Sequence, residues 1–265
     1  MIAALLLAIA ALAPQDSRRV VRDVGIDQKL GASVALDLPF VDENGRDVRL
    51  GDFFGRKPVL LALVYYRCPM LCSQVLEGIV HVLRGVSLVP GEDFEIVVAS
   101  IDPEETPEAA ARKKASCVAE YGRASGAQGW HFLVGKEPAI RSLADDAGFR
   151  YVYDPESKEF AHASGFFVLT PKGVLSRCFY GLEHSASDLR LALVESSEER
   201  IGSLVDQVLL LCFHYDPATG RYGFAIVNAI RLAGLLTIAG IAFFLVSMRR
   251  RERGERGAPR AKGAG

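Results

Sequence analysis

Two cysteines lie close together in the stretch from Val64 to Gln74, which reads V-Y-Y-R-C-P-M-L-C-S-Q. Three residues separate Cys68 from Cys72, and the apolar residues after Cys72 have the spacing of a helix with one buried face. A thiol at the N-terminal end of a helix lies in a positive partial field, which favours the thiolate. A pair of thiolates held in this way does either redox chemistry or soft-metal chemistry.

The spacing of the two cysteines bears on this choice. Thioredoxin-like redox motifs usually have two residues between the cysteines, whereas Pro69, Met70 and Leu71 intervene here. The extra residue gives the two sulfur atoms more freedom to bind one metal ion, although it does not forbid a disulfide. Two thiolates and an imidazole would suit Cu(I), a soft ion that accepts low coordination numbers.

The chain has three further cysteines, and five in total are too few for a disulfide-stapled scaffold. Cys117 and Cys178 fall in apolar helix and strand patterns, so we expect each to be a small buried hydrophobic residue. Cys212 and His214 form a Cys-x-His pair that could bind a metal ion. The same segment also reads as a turn after an amphipathic helix, and the sequence leaves the two interpretations open.

Strands and helices alternate around the cysteine motif. An apolar strand over 58–66 precedes it, and a helix from about 72 to 86 follows it. Thr106 and Pro107 have the N-cap and first-turn signature of another helix start. This alternation predicts an α/β, thioredoxin-like fold with a central mixed sheet flanked by helices. The remaining predicted strands are 34–41, 47–50, 93–101, 130–134, 149–153, 165–170 and 174–180, and the remaining helices are 106–121, 138–147 and 187–196.

Length and charge bound the class of protein. The 265 residues suffice for one domain and additional segments, and half of them are hydrophobic, which is ample for a core. The 31 basic residues nearly balance the 32 acidic ones. This balance gives no indication of a nucleic-acid partner.

The C-terminal part of the chain predicts a membrane anchor. Leu232 to Met248 is free of charged residues, and the apolar stretch extends back to about residue 225, which is long enough to cross a bilayer. Arg249, Arg250 and Arg251 follow at once, and such a flank is cytoplasmic under the positive-inside rule. We therefore expect the folded domain outside the cytoplasm, on the periplasmic side of a bacterial inner membrane or in the equivalent space across a Gram-positive membrane.

The N-terminal residues resemble an export signal, because they form an apolar run that ends in Ala11-Leu12-Ala13. A basic first region is missing, and Pro14 would follow the cleavage site directly. The predicted order is a signal-like segment (1–13), a linker (14–33), the thioredoxin-like domain (34–198), a juxtamembrane segment (199–224), a transmembrane helix (225–248) and a basic cytoplasmic tail (249–265).

Three motifs together resemble the Sco/SenC family of membrane-anchored, thioredoxin-like copper proteins. They are C-P-x-x-C at 68–72, S-I-D-P followed by T-P at 100–107, and a histidine at 162 in a predicted loop before an apolar strand. The resemblance covers about residues 30–195. It implies one copper ion, Cu(I) or Cu(II), bound by Cys68, Cys72 and His162.

The resemblance also implies a partner. Proteins of this family help to assemble the copper centre of a cytochrome oxidase subunit, as metallochaperones, thiol reductants or both. The implied partners are that copper-bearing subunit, an upstream copper donor or thiol reductant, and the membrane. Many members carry an acidic residue within the cysteine motif and an aspartate before the histidine, where this chain has Met70, Leu71 and Ala161. The affinity for copper, or the preference between its two valences, is expected to differ accordingly.

Two functions therefore compete. The first is a copper-binding assembly factor, which is not an enzyme in the sense of turnover. The second is a membrane-anchored thiol–disulfide oxidoreductase that uses Cys68 and Cys72 alone. They differ at His162, because metal transfer requires this residue and dithiol exchange does not. A thiol peroxidase is a poorer match, since Tyr65 to Arg67 stand where a Thr or Ser would precede the reactive cysteine.

Several polar residues near these motifs have ordinary explanations as well as functional ones. Asp102 and Pro103 either simply end their strand or help to orient the site, since strand ends cluster at one edge of such a sheet. For His81, His131 and His184 we expect structural or solvated positions.

Overall fold

The computed structural model describes residues 23–67 and 71–200, together with 215–216, 221–222, 234–238, 240–241 and 244. The chain divides into one compact unit that ends at Ser203 and a second that begins at Leu204. The strands of the first unit are β1 Gly25–Ile26, β2 Pro39–Val41, β3 Asp47–Arg49, β4 Val59–Val64, β5 Glu95–Ser100, β6 Trp130–Leu133, β7 Phe149–Asp154, β8 Glu159–His162, β9 Gly165–Leu169 and β10 Leu175–Tyr180. Its helices are α1 Leu71–Arg84, α2 Pro107–Tyr121, α3 Glu137–Ala147 and α4 Ala186–Ser197.

A five-stranded mixed sheet forms the centre of the first unit, with the order β10-β9-β4-β5-β6. β4, β5 and β6 are parallel, whereas β9 runs antiparallel to both β4 and β10. Every residue of β4 is buried, as expected for a continuous apolar run that forms a strand covered on both faces. The predicted α/β fold with a mixed sheet is confirmed.

Four helices accompany the sheet. α1 contacts α2 and α4, α2 contacts β6, and α4 contacts β9 and β10. The predicted start of α2 is confirmed, because the Thr106 side chain accepts a hydrogen bond from the Ala109 N–H and Pro107 occupies the first turn. Gly122 ends this helix with a φ of 76°, a left-handed conformation that glycine adopts without strain.

A second sheet, with the order β1-β7-β8, carries His162. We expected His162 in a loop, but it is the last residue of β8 and lies opposite Tyr151 of β7. β8 has only four residues and no apolar alternation, so its pairing with β7 rather than a local pattern defines it. β1 is likewise a strand inside the predicted linker, and its Gly25 and Ile26 pair with β7.

The hairpin of β2 and β3 covers the free edge of β6. The predicted strand over 34–41 is shorter in the structure, where it begins at Pro39. Val41 and Val134 exchange two backbone hydrogen bonds of 2.8 and 2.9 Å. The Glu43 carboxylate, whose side chain is 8% exposed, accepts hydrogen bonds from the Phe132 N–H (3.0 Å) and from Lys114 Nζ (2.6 Å). The carboxylate therefore joins the hairpin to the sheet.

In the second unit, β11 Tyr215–Asp216 pairs with β12 Arg221–Tyr222, and the described residues from 234 to 244 are helical. Within the parts of the chain that the structure describes, no helix is both long and apolar enough to span a bilayer. Most of the predicted span over 225–248 lies outside the described residues. The same holds for the signal-like segment and for Cys212 and His214.

Gly78 allows α1 to approach the segment before α4 closely. A Cβ atom at this position would lie 2.5 Å from the Leu182 carbonyl oxygen, which is backbone and cannot rotate away. Alanine in a helix normally adds about 0.5–1 kcal/mol of stability relative to glycine. For Gly78→Ala we expect the opposite, a loss of about 1–3 kcal/mol in the free energy of unfolding, typical of overpacking.

Denaturant unfolding measures this change, and Glu77→Ala, at an exposed position of the same helix, is the control. A Gly78→Ala protein as stable as the wild type would show that α1 does not need the close approach.

Candidate metal centre

The end of β4 leads directly to the first cysteine of the motif. Tyr65 and Tyr66 follow the strand, are both buried, and extend in different directions. The Tyr66 hydroxyl lies 2.9 Å from the Val98 carbonyl oxygen and 2.7 Å from that of Leu133. The ring of Tyr65 packs instead against the rings of Phe160 and His162, at centroid distances of 5.7 and 6.0 Å.

A buried carboxylate holds the backbone at this point. Glu105 Oε2 accepts a hydrogen bond from the Tyr66 N–H (2.8 Å), and Oε1 accepts one from the Arg67 N–H (2.7 Å). The Ser100 hydroxyl donates a third hydrogen bond to Oε2, at 2.6 Å. The Glu105 side chain is 0% exposed, and burial raises its pKa while the Ser100, Tyr66 and Arg67 hydrogen bonds lower it.

Sequence reasoning missed Glu105, because a glutamate between a strand and a helix gives no local signal. Its role is visible only where β4 and β5 end side by side. The nearest indication in the sequence was the S-I-D-P segment, which supplies Ser100 and runs to within two residues of Glu105.

Asp102 also reaches the residue before the first cysteine. Its Oδ2 lies 2.7 Å from Arg67 Nη2. The Arg67 side chain is 56% exposed, so this ion pair is largely solvated and contributes little to stability. β5 ends at Ser100, two residues before Asp102, and Asp102 pairs with Arg67. A role of Asp102 in orienting the site stays a prediction.

His162 has the environment of a neutral imidazole. The residue is 6% exposed, and its ring lies between those of Phe149 and Tyr65, at centroid distances of 5.9 and 6.0 Å. Burial lowers the pKa of His162, which favours the uncharged ring at neutral pH. Nδ1 lies 2.9 Å from the Ala163 carbonyl oxygen. Because a carbonyl only accepts, Nδ1 carries the proton and the lone pair of the neutral ring is on Nε2.

The structure thus brings His162 into contact with Tyr65, three residues before Cys68 along the chain. Cys72 lies in the first turn of α1, as predicted. Cys68 and the side chain of Cys72 lie outside the described residues. Among the side chains that the structure describes, no three from His, Cys, Asp and Glu are grouped to hold a metal ion. Coordination by Cys68, Cys72 and His162 therefore stays a prediction.

The other histidines have ordinary surroundings. His81 is exposed on α1. His131 Nε2 lies 3.0 Å from Glu95 Oε2, and its ring packs on Phe53. His184 presents an edge-on contact to the rings of Phe166 and Phe179. These positions agree with the structural or solvated roles expected from the sequence.

A groove opens beside the end of β4. It has a volume of about 660 Å³, and its lining combines the aromatic side chains of Tyr65 and Phe160 with the charged pair of Arg67 and Asp102. Arg67, the residue directly before Cys68, is therefore reachable from solvent on this side.

These features define a thioredoxin-like α/β domain with a cysteine motif at a strand–helix junction. The family model for SCO1/SenC matches residues 27–194, which is more than half of the chain. The chain therefore belongs to the SCO1/SenC family. A comparison with curated proteins gave no significant match.

Solved structures share the fold. A candidate electron transfer protein from Aquifex aeolicus VF5 is 25% identical with a TM-score of 0.56, and the match covers 65% of this chain and 96% of that one. BsSco, a member of the Sco family of cytochrome c oxidase assembly proteins in which a disulfide switch was identified, is 20% identical with a TM-score of 0.52 (65% and 98% covered). A SCO1/SenC family lipoprotein from Bacillus anthracis str. Ames is 15% identical with a TM-score of 0.51 (65% and 99% covered).

The two other described cysteines are poor nucleophiles. Cys117 is buried as predicted, whereas Cys178 is only half-buried; neither forms a disulfide. Burial raises the pKa of each thiol to about 12. In the folded protein at pH 8 we expect iodoacetamide to leave both unmodified, because the thiolate is the reactive form.

Mass spectrometry of the alkylated protein tests this expectation, with the same reaction in denaturant as the control for full reactivity. Rapid modification of either residue in the folded protein would contradict it.

Proposed function

We propose that this protein binds one copper ion through Cys68, Cys72 and His162 and serves in the assembly of the copper centre of a cytochrome oxidase. Membership of the SCO1/SenC family supports the class of function. The observation that carries the ligand assignment is the position of His162, which is buried and in contact with Tyr65, three residues before Cys68. The copper ion is cargo in this proposal, received from a donor and passed to the oxidase subunit.

The chemistry of these residues fits copper. A neutral imidazole nitrogen and two thiolates form a soft donor set, which suits Cu(I). The hydrogen bond from Nδ1 to the Ala163 carbonyl fixes the ring and its tautomer, as is usual for histidines that bind metals. The position of Cys72 in the first turn of α1 favours its thiolate form.

The measurement that tests this proposal is the copper stoichiometry of the full-length, reduced protein. We expect one tightly bound Cu(I) in the wild type, and a loss of at least about tenfold in affinity for His162→Ala, because one of three ligands is removed. Competition with a chromogenic Cu(I) chelator gives both values. His184→Ala, which also removes a histidine packed on aromatic rings, is the matched control and should bind like the wild type.

The result also separates the two functions. Absence of tight copper in the wild type, with Cys68 and Cys72 still cycling between dithiol and disulfide, would refute copper binding. It would leave the thiol–disulfide oxidoreductase, for which the position of Cys72 at the start of α1 is the supporting observation.

The proposal includes a location. We infer a single C-terminal transmembrane helix over 225–248, with the folded domain on the periplasmic side of a bacterial inner membrane. The support is the uncharged run from Leu232 to Met248 and the basic residues after it, since the 17 residues that follow Met248 include seven basic and two acidic ones.

Expression in a bacterial host tests the location. The full-length protein should stay in the membrane fraction after alkaline carbonate washing, and the domain should become accessible to protease once the outer membrane is permeabilised. A chain that stops before residue 225 should be released. Recovery of the intact chain in the soluble fraction would contradict the anchor.

A further inference from the structure

We propose that Glu105 is a positioning residue for the cysteine motif, acting through the backbone of Tyr66 and Arg67. The inference rests on the proposed function in one respect, namely that the motif carries the ligand Cys68. Its geometric basis is the contact of a single carboxylate with the two residues that directly precede this cysteine.

The position of Glu105 follows from how the sheet ends. The ladder between β4 and β5 ends at the pair Val64 and Ser100, and the Ile101 N–H donates to the Val64 carbonyl just beyond it. The chain then turns away, so the N–H groups of Tyr66 and Arg67 need another acceptor. Glu105 accepts from both, one on each carboxylate oxygen.

Two hydroxyl groups anchor this contact between Glu105 and the backbone. The Ser100 hydroxyl, at the end of β5, donates to Glu105 Oε2 and so fixes the carboxylate to the sheet. The Tyr66 hydroxyl contacts the carbonyls of Val98 and Leu133, which fixes the other end of that residue. Tyr66 is therefore held at both its backbone and its side chain. The direction in which the chain leaves β4 towards Cys68 is set by these contacts.

A binding site needs its ligands held within about 0.5 Å of the productive geometry by supporting contacts of this kind. Loss of the carboxylate would leave two N–H groups with a poorer acceptor, and the cysteine motif would sample more positions. The expected consequence is weaker binding at the site in addition to any loss of stability. A residue with a purely structural role would lower stability alone.

The chain offers a matched control for this distinction. Glu43 is also a buried carboxylate that accepts a backbone N–H of the sheet, from Phe132, but it lies at the edge strand β6. Glu105→Gln and Glu43→Gln make the same substitution at two buried carboxylates that each accept a backbone N–H, although Glu43 also pairs with Lys114 Nζ at 2.6 Å. Only the first change touches the backbone next to Cys68.

The experiment compares these two variants with the wild type as full-length, reduced proteins. Denaturant unfolding gives their stability, and competition with a chromogenic chelator gives their Cu(I) affinity. We expect Glu105→Gln to weaken Cu(I) binding at least tenfold and Glu43→Gln to change it less than twofold. Ser100→Ala, a milder change at the same carboxylate, should weaken binding about threefold and serves if Glu105→Gln does not fold.

Equal affinities in all these variants, or losses that merely follow stability in both glutamate variants, would overturn the positioning role. A second readout separates this result from a failure of the proposed function. If the wild type binds no tight copper, the Cys68–Cys72 disulfide equilibrium in glutathione buffers still tests Glu105. A tenfold shift in that equilibrium for Glu105→Gln, about 30 mV for a two-electron couple, with none for Glu43→Gln, supports the positioning role, and no shift refutes it.

Discussion

The burial of β4 is the constraint on which the site depends. This strand pairs with β5 on one edge and β9 on the other, and all six of its residues are buried. It cannot slide without breaking two ladders and exposing its apolar side chains, so the point where it ends is fixed. The cysteine motif begins four residues after Val64 and takes its starting position from that strand. Beyond the end of these ladders, the N–H groups of Tyr66 and Arg67 donate to the Glu105 carboxylate instead of to a strand.

The two tyrosines after β4 connect the end of this strand to different parts of the domain. Tyr66 extends to backbone carbonyls of β5 and β6 and fastens the end of the strand to the sheet. Tyr65 turns to Phe160 and His162 on the small antiparallel sheet. Tyr65 and Tyr66 together therefore connect the central sheet to the small sheet that carries His162. The imidazole reaches the strand end because β7 and β8 carry it there.

The charged side chains near the end of β4 differ in their exposure to solvent. The Glu105 side chain is fully buried. Its oxygen atoms accept from two backbone N–H groups and the Ser100 hydroxyl, and Oε1 also lies 3.8 Å from Arg67 Nε. The closer ion pair of Arg67 is with Asp102, where solvent reaches both groups. His162 is buried against the rings of Tyr65 and Phe149, and this burial lowers its pKa and favours the neutral ring. Only the neutral form can donate a lone pair to a metal ion. The apolar and aromatic packing of His162 therefore favours the form of the ring that can bind a metal ion.

Local sequence patterns predict the order of the main strands and helices, the start of α2 at Thr106 and Pro107, and the place of the cysteines between a buried strand and a helix. These features are local, because apolar runs, helical spacing and capping residues act over a few neighbours. Three features are visible only in the folded domain: His162 lies on a strand, its ring contacts Tyr65, and Glu105 binds the backbone of the two residues before Cys68. Each of these depends on the pairing of β4 with β5 or of β7 with β8. Such pairing joins segments that are distant in the sequence, and the residues of one strand do not indicate which other strand it will pair with.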